Sequence, residues 1–180
     1  MTVKTLIGLV FTAFMTVACT TSSQSPSTGY DYGVEAFKIR GRMENQILER
    51  HLETINALRL SQGLAALEYS DALTAAALKH AADIKVQARA WHFGSDGTSP
   101  IERIANAGFP GQLVGENLSE TYEDDQVTLQ AWLRDPNSRS VILDPNARYI
   151  GFAWFQEPNW KLWWVQVIGD GSNTNVNQGF

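Results

Sequence analysis

The strongest constraint on the fold is a pair of apolar stretches near the C-terminus, Ile150 to Gln156 and Lys161 to Ile168, separated by Glu157-Pro158-Asn159. Both are rich in β-branched and aromatic residues, and a short polar break between two such runs predicts an antiparallel hairpin. Successive side chains of a strand point to opposite faces, so the adjacent Trp163 and Trp164 cannot share one side of a sheet. With a large apolar ring on each face, both faces need a cover. The chain has 180 residues, 44% of them hydrophobic, with six Trp and eight Phe, enough for one domain with a substantial core.

The rest of the sequence supplies helices for that cover. Leu48, Leu52, Ile55 and Leu58 recur at helical spacing between Met43 and Leu60, with Gly63 as a stop. Ser70-Asp71 offers a cap for a second helix, in which Leu73, Ala77, His80 and Ile84 share a face. Trp91 to Gly97 reads as a loop with an Asp96-Gly97 turn. In Ser99-Pro100-Ile101-Glu102 the Ser is an N-cap, the Pro a first helical residue and the Glu the partner of a capping box, with Gly108 ending that helix. A fourth helix is expected from Asp124 to Arg134, stopped by Pro136.

At the N-terminus, Lys4, the apolar run Leu6 to Val17 and a small Ala18 precede Cys19, the only cysteine. The run is too short for a spanning helix and reads as an export signal. A single cysteine excludes an intramolecular disulfide. The stretch resembles a bacterial lipoprotein signal, in which the cysteine becomes the lipidated N-terminus, although Thr16 stands where a larger aliphatic residue is usual. The expected organisation is a signal over 1–19, a flexible Ser-, Thr- and Pro-rich linker over 20–40, a domain over 41–170 and a polar tail over 171–180. Thr20 after Cys19 favours the outer membrane by analogy with lipoprotein sorting in Gram-negative bacteria. The formal charge of −5 and the lack of a clustered basic face argue against nucleic acid as a partner.

The ordered set His92-Phe93-x-x-Asp96-Gly97, Arg103, Gly108-Phe109, Gly115-Glu116-Asn117-Leu118, Trp132-Leu133-x-Asp135-Pro136-x-x-Arg139, Gly151 and Trp163-Trp164-Val165-Gln166 resembles the CAP superfamily. These are the cysteine-rich secretory proteins, venom antigens and plant pathogenesis-related proteins, here in a bacterial lipoprotein-type form. The resemblance implies an α+β fold, a three-layer α-β-α sandwich with a small central antiparallel sheet. It also implies a cleft lined by His and Glu side chains, sometimes occupied by zinc. His92 matches the first His of that cluster and Glu116 the first Glu. Ser138 stands where the second His belongs.

A protein zinc site usually takes three or four side-chain ligands, and His92 and Glu116 supply two. No cofactor is therefore expected, with loosely held zinc at His92 and Glu116 the alternative. His80 enters such a site only if its ring reaches the cleft; its helical phase makes it a hydrogen-bonded core residue. His51 reads as a partly buried or surface residue. His92 with Glu116 is also the composition of an acid-base couple in which the carboxylate fixes the imidazole tautomer. Adding Ser138 gives the residue types of a hydrolytic triad, but no Gly-x-Ser-x-Gly elbow accompanies them. Asn117 suits a hydrogen bond to loop backbone, and Arg103 suits an ion pair with Asp96 or Glu116.

Two functions follow as expectations. The first is a monomeric, non-enzymatic binding or envelope interaction module, exported and either lipid-anchored facing the periplasm or secreted. Its degenerate cleft of His92, Glu116, Asn117, Ser138 and Arg103 would take a lipid, a peptide or an envelope component. The alternative is a peptidase or cell-wall-active hydrolase using His92 and Glu116. Trp132, Trp154 and Trp164 read as core, whereas Trp160, at the hairpin loop, is expected to face solvent, where its amphipathic ring suits a membrane interface, a glycan or a partner.

Overall fold

The computed structural model describes residues 35–172. The export signal, Cys19, most of the linker and the end of the polar tail lie outside them. The described chain runs α1 (Met43–Ser61), β1 (Glu68–Tyr69), α2 (Asp71–Val86), α3 (Pro100–Asn106), β2 (Leu113–Thr121), α4 (Asp125–Arg134), α5 (Pro136–Ile142), β3 (Ala147–Gln156) and β4 (Leu162–Asp170).

The C-terminal stretches form the expected hairpin, with Trp154 opposite Trp164 and Phe155 opposite Trp163. β4 lies at the centre of a sheet ordered β1-β3-β4-β2. Trp163, Val165 and Val167 pack with Leu73, Ala77, Ala81 and Ile84 of α2 and Ile104 of α3. Trp164 and Ile168 pack on the other face with Ile47 and Ile55 of α1, Leu129 and Trp132 of α4 and Ile142 of α5. Helices therefore cover both sides of the sheet, an α+β fold with three layers.

The sheet is mixed rather than wholly antiparallel, because β1 pairs parallel with β3 through Glu68 and Tyr69. Two paired residues carry too little pattern to be legible as a strand. β2 also escapes periodicity, since Leu113 to Thr121 mixes Gly, Glu, Asn and Ser with few apolar residues. Pro136 does more than end α4. It occupies the first turn of α5, where its missing N–H is harmless, and Asp135 caps that helix by accepting from the Ser138 N–H at 2.8 Å.

The buried stripe of α1 is Ile47, His51, Ile55 and Arg59, one step from the aliphatic stripe that spacing suggests. His51 is fully buried, which corrects its reading as a partly buried or surface residue. Its ring stacks on Phe152 with centroids 3.7 Å apart. Arg59 is equally buried, its guanidinium donating to the carbonyls of Ala65, Ile142, Asp144 and Ala147. It ties the end of α1 to the end of α5 and the start of β3.

Gly151 sets the distance between α2 and the sheet. A Cβ there would stand 2.2 Å from the backbone carbon of Leu73, so the helix rests directly on the strand. At the other end of the hairpin, residues placed in the linker by composition are held against the domain. The Phe37 N–H donates to Tyr122 O at 2.7 Å, and the Gln156 amide spans Phe37 O and the Ile39 N–H. Phe37 and Ile39 bury against the core in the process.

Candidate functional site

The site begins with two polar residues of α2 and the residue that caps its C-terminus. His80, Asp83 and Gln87 recur at spacings of three and four, so they share one helix face. His80 Nε2 lies 3.0 Å from Trp91 O; a carbonyl only accepts, so Nε2 carries the proton. Asp83 accepts from the Ser95 N–H and hydroxyl and from the Gln87 amide. Gln87 in turn donates to Phe93 O and accepts from the Trp91 indole. The loop carrying His92 is thus hung from α2 at three points. Burial pushes the Asp83 carboxyl up, but the hydrogen bonds from Ser95 and Gln87 outweigh it and hold the group below its usual value.

On β2, Glu116 and Asn117 point to opposite faces of the sheet, as neighbours in a strand must. Glu116 faces α2 and α3. Its carboxylate is 2% exposed and meets three side chains. Arg103 Nη2 spans both oxygens at 2.9 and 2.8 Å, while its Nη1 donates to Thr98 O. His92 Nδ1 lies 3.0 Å from Oε1, and His80 Nε2 lies 3.8 Å from the same oxygen. The capped α3 positions Arg103, and both halves of the Ser99–Glu102 capping box are formed. Of the expected partners for Arg103, the structure selects Glu116; Asp96 serves its turn by accepting from Thr98.

The carboxylate accepts from Nδ1, so neutral His92 presents the bare lone pair of Nε2 outward on a side chain that is 55% exposed. His80 stays fully buried, with Nδ1 unpartnered and 4.0 Å from Asp83. Burial lowers the His80 pKa, and the Glu116 charge offsets this only in part.

Asn117 faces the other layer. Its amide donates to Ser138 O at 3.2 Å and to Gln166 Oε1 at 3.0 Å. Gln166 then donates to His51 Nε2 at 2.9 Å, leaving the buried Nδ1–H of His51 without a partner. Burial drives the His51 pKa down to about 3. The five residues expected in one cleft therefore fall into two sets. Glu116, His92 and Arg103 form one cluster, joined by His80, while Asn117 and the backbone of Ser138 belong to a sealed network with Gln166 and His51. No hydrogen bond joins Ser138 to His92 or Glu116 among the described residues, so the three do not form a triad.

The family described as CAP, the cysteine-rich secretory protein family, matches residues 52–168. The chain belongs to this family. Among curated relatives, a protein of Bacillus subtilis strain 168 called uncharacterized protein YkwD is 27% identical over 118 residues, 66% of this chain and 45% of its own length. The chain thus spans less than half of that relative. Among solved structures, an outer surface protein from Borrelia burgdorferi superposes with a TM-score of 0.64 at 24% identity. That match covers 75% of this chain and 98% of the Borrelia chain. An extracellular protein with an SCP domain from Bacillus anthracis gives a TM-score of 0.61 at 20% identity, covering 74% of this chain and 45% of its own. These likenesses establish the CAP fold.

Zinc, which the CAP fold implies, does not fit this donor set. Both oxygens of Glu116 are held by a buried guanidinium, so a cation already stands at the carboxylate. His80 commits its protonated nitrogen to Trp91, and position 138 offers no imidazole. Among the described residues, no group of three or more His, Cys, Asp or Glu is arranged to hold a metal ion.

The residues missed by sequence reasoning are Asp83, Gln87 and Gln166. The signal for the first two was present, since polar residues on the buried face of a helix need partners.

Proposed function

We propose that this CAP domain is a non-enzymatic binding module of the cell envelope, with His92, Glu116 and Arg103 as the polar floor of its cleft. One observation carries the proposal. Glu116 is neutralised by Arg103, so the cluster keeps a single outward group, the His92 imidazole, and no hydroxyl or thiol side chain hydrogen-bonds to it among the described residues. Such a group suits hydrogen bonding to a ligand better than covalent or metal chemistry. The ligand classes that suit it are a small apolar molecule with a polar end, a peptide, or an envelope component. Exposed Phe93 next to His92, in ring contact with Trp91, adds apolar surface at the mouth.

Export and lipid attachment at Cys19 belong to the same proposal. Support comes from the signal-like N-terminus and from the outer-surface and extracellular descriptions of the two solved relatives. No helix among the described residues is long and apolar enough to cross a membrane, so attachment would fall to the N-terminal segment.

The test is a photo-reactive amino acid at position 93 of the full chain in intact cells, together with native mass spectrometry of the purified protein. A captured envelope component or retained small molecule, lost in His92→Ala, supports the proposal. The competing hydrolase is tested by turnover of peptide, ester and peptidoglycan substrates with and without zinc. Turnover abolished by both His92→Ala and Glu116→Gln replaces the binding module with the hydrolase.

A further inference from the structure

A concave feature lies at the tip of the β3–β4 hairpin, away from the His92 cluster. It is an open groove of about 410 Å³ lined by Ala36, Thr121, Tyr122, Glu123 and Asn159, within the range of about 300–1,000 Å³ usual for small-ligand sites. Tyr122 is 41% exposed, and Trp160, the next residue after Asn159, is 38% exposed. Trp160 has φ +73°, a left-handed conformation that a bulky side chain adopts at a cost of about 1–2 kcal/mol.

The strain is held by several contacts. The Trp160 N–H donates to Glu157 O at 2.8 Å, the Gln156 amide donates to Trp160 O at 3.2 Å, and the Lys38 ammonium lies 5.2 Å from the ring centroid. Nothing in the core requires this ring. Its indole N–H makes no hydrogen bond among the described residues, and glycine would hold the turn without strain. A strained, outward aromatic residue beside a groove points to a ligand.

We infer that this groove binds a neutral pyranose glycan chain of the envelope. The apolar face of a sugar ring stacks on an amphipathic aromatic ring, and its hydroxyls take hydrogen bonds from the surrounding polar groups. Trp160 and Tyr122 supply the rings. The Glu123 carboxylate and the Asn159 amide nitrogen supply an acceptor and a donor that make no hydrogen bond among the described residues. Charge decides against an anionic bilayer. Glu120, Glu123, Asp124 and Glu157 outnumber Lys38 and Lys161 around the tip, which disfavours acidic headgroups and leaves a neutral polyol unaffected.

The test uses the full chain with soluble chitotetraose, a neutral N-acetylglucosamine tetrasaccharide, by saturation-transfer NMR, and with purified peptidoglycan sacculi by co-sedimentation. Phosphatidylglycerol vesicles are the third probe. Wild type is expected to bind both glycan probes and to ignore the vesicles. Trp160→Gly is expected to lower glycan affinity about tenfold, the upper end of one stacking contact, while Trp160→Phe keeps most of it. Urea unfolding of Trp160→Gly, with a midpoint at or above wild type, separates lost binding from lost fold. Equal glycan binding by wild type and Trp160→Gly overturns the inference, as does sedimentation with vesicles and not with sacculi. The result does not depend on the proposed cleft, whose failure is read at position 93 and His92.

Discussion

The Arg103–Glu116 pair gives the sharpest test of how the site is built, because it stands where family resemblance would place a metal. Both side chains are almost fully buried, at 5% and 2% exposure. Replacing Arg103 with Met keeps most of the apolar stem and removes the guanidinium. It strips Nη2 from both carboxylate oxygens and Nη1 from Thr98 O. Glu116 then retains only the His92 Nδ1–H at 3.0 Å and the more distant His80. Breaking a buried pair in this way costs about 3–5 kcal/mol, mostly as the desolvation of the charge left behind.

Glu116→Gln leaves the mirror-image problem, a buried cation whose remaining acceptors, the Gln amide oxygen and Thr98 O, are both neutral. The double variant Arg103→Met/Glu116→Gln contains neither stranded charge. Its cost should fall short of the sum of the two single costs by about 2–3 kcal/mol. Urea unfolding followed by tryptophan fluorescence reads all four proteins. A loss below about 1 kcal/mol in Arg103→Met, or single costs that simply add, would refute the reasoning. Zinc provides the second arm. It should leave the wild-type midpoint unmoved, since the guanidinium already occupies the carboxylate. A wild-type midpoint that rises with zinc shows that Arg103 does not take the metal's place.

Three other perturbations follow from the packing. Gly151→Ala drives a methyl group into the backbone of Leu73 and Thr74 and should destabilise by about 3 kcal/mol or more, read as a lowered urea midpoint with unchanged slope. Arg59→Met leaves four carbonyls at the α1, α5 and β3 junction without their donor, for a loss of about 3 kcal/mol or more in the same assay. The His51 prediction concerns acid. Its folded pKa of about 3 lies below the unfolded value of 6.5, so between these values the unfolded chain binds the extra proton. Stability from this group is complete above pH 6.5 and is lost as pH falls, at about 1.4 kcal/mol per pH unit. Between pH 7 and pH 5, wild type should therefore lose about 2 kcal/mol more than His51→Gln; equal losses would show that His51 is not the group being protonated.

How much was legible from sequence can be judged at β2. The motif Gly115-Glu116-Asn117 marked the right strand for the site, yet its chemistry was read as one cleft. Strand alternation divides it, sending Glu116 to α2 and α3 and Asn117 to Ser138 and Gln166. Applied to Trp163 and Trp164, the same alternation foretold the layered fold, because large apolar residues declare their need for burial on both faces. Polar side chains carry no such declaration. The burial of His51 and Arg59 depends on Gln166 and on the carbonyls of Ile142, Asp144 and Ala147, and those partners lie 83 to 115 residues away along the chain. Short elements were lost for a related reason, since β1 is held by pairing with β3 rather than by any pattern of its own.

The division at β2 also fixes what each half of the motif can do. The Asn117 side is sealed: Gln166, His51 and Phe152 are buried, and the Asn117 amide uses its hydrogen bonds to join α5 to the sheet. Ser138 contributes there through its carbonyl and its capped N–H, so a change of side chain at position 138 leaves those backbone bonds in place. The Glu116 side is open only through His92, because Arg103 and His80 are buried behind the carboxylate. The substitution that most alters chemistry at the His92 cluster is therefore at Arg103, whose guanidinium decides whether Glu116 has an oxygen to offer. Position 138, where the family pattern is broken most visibly in sequence, lies on the structural side of the strand.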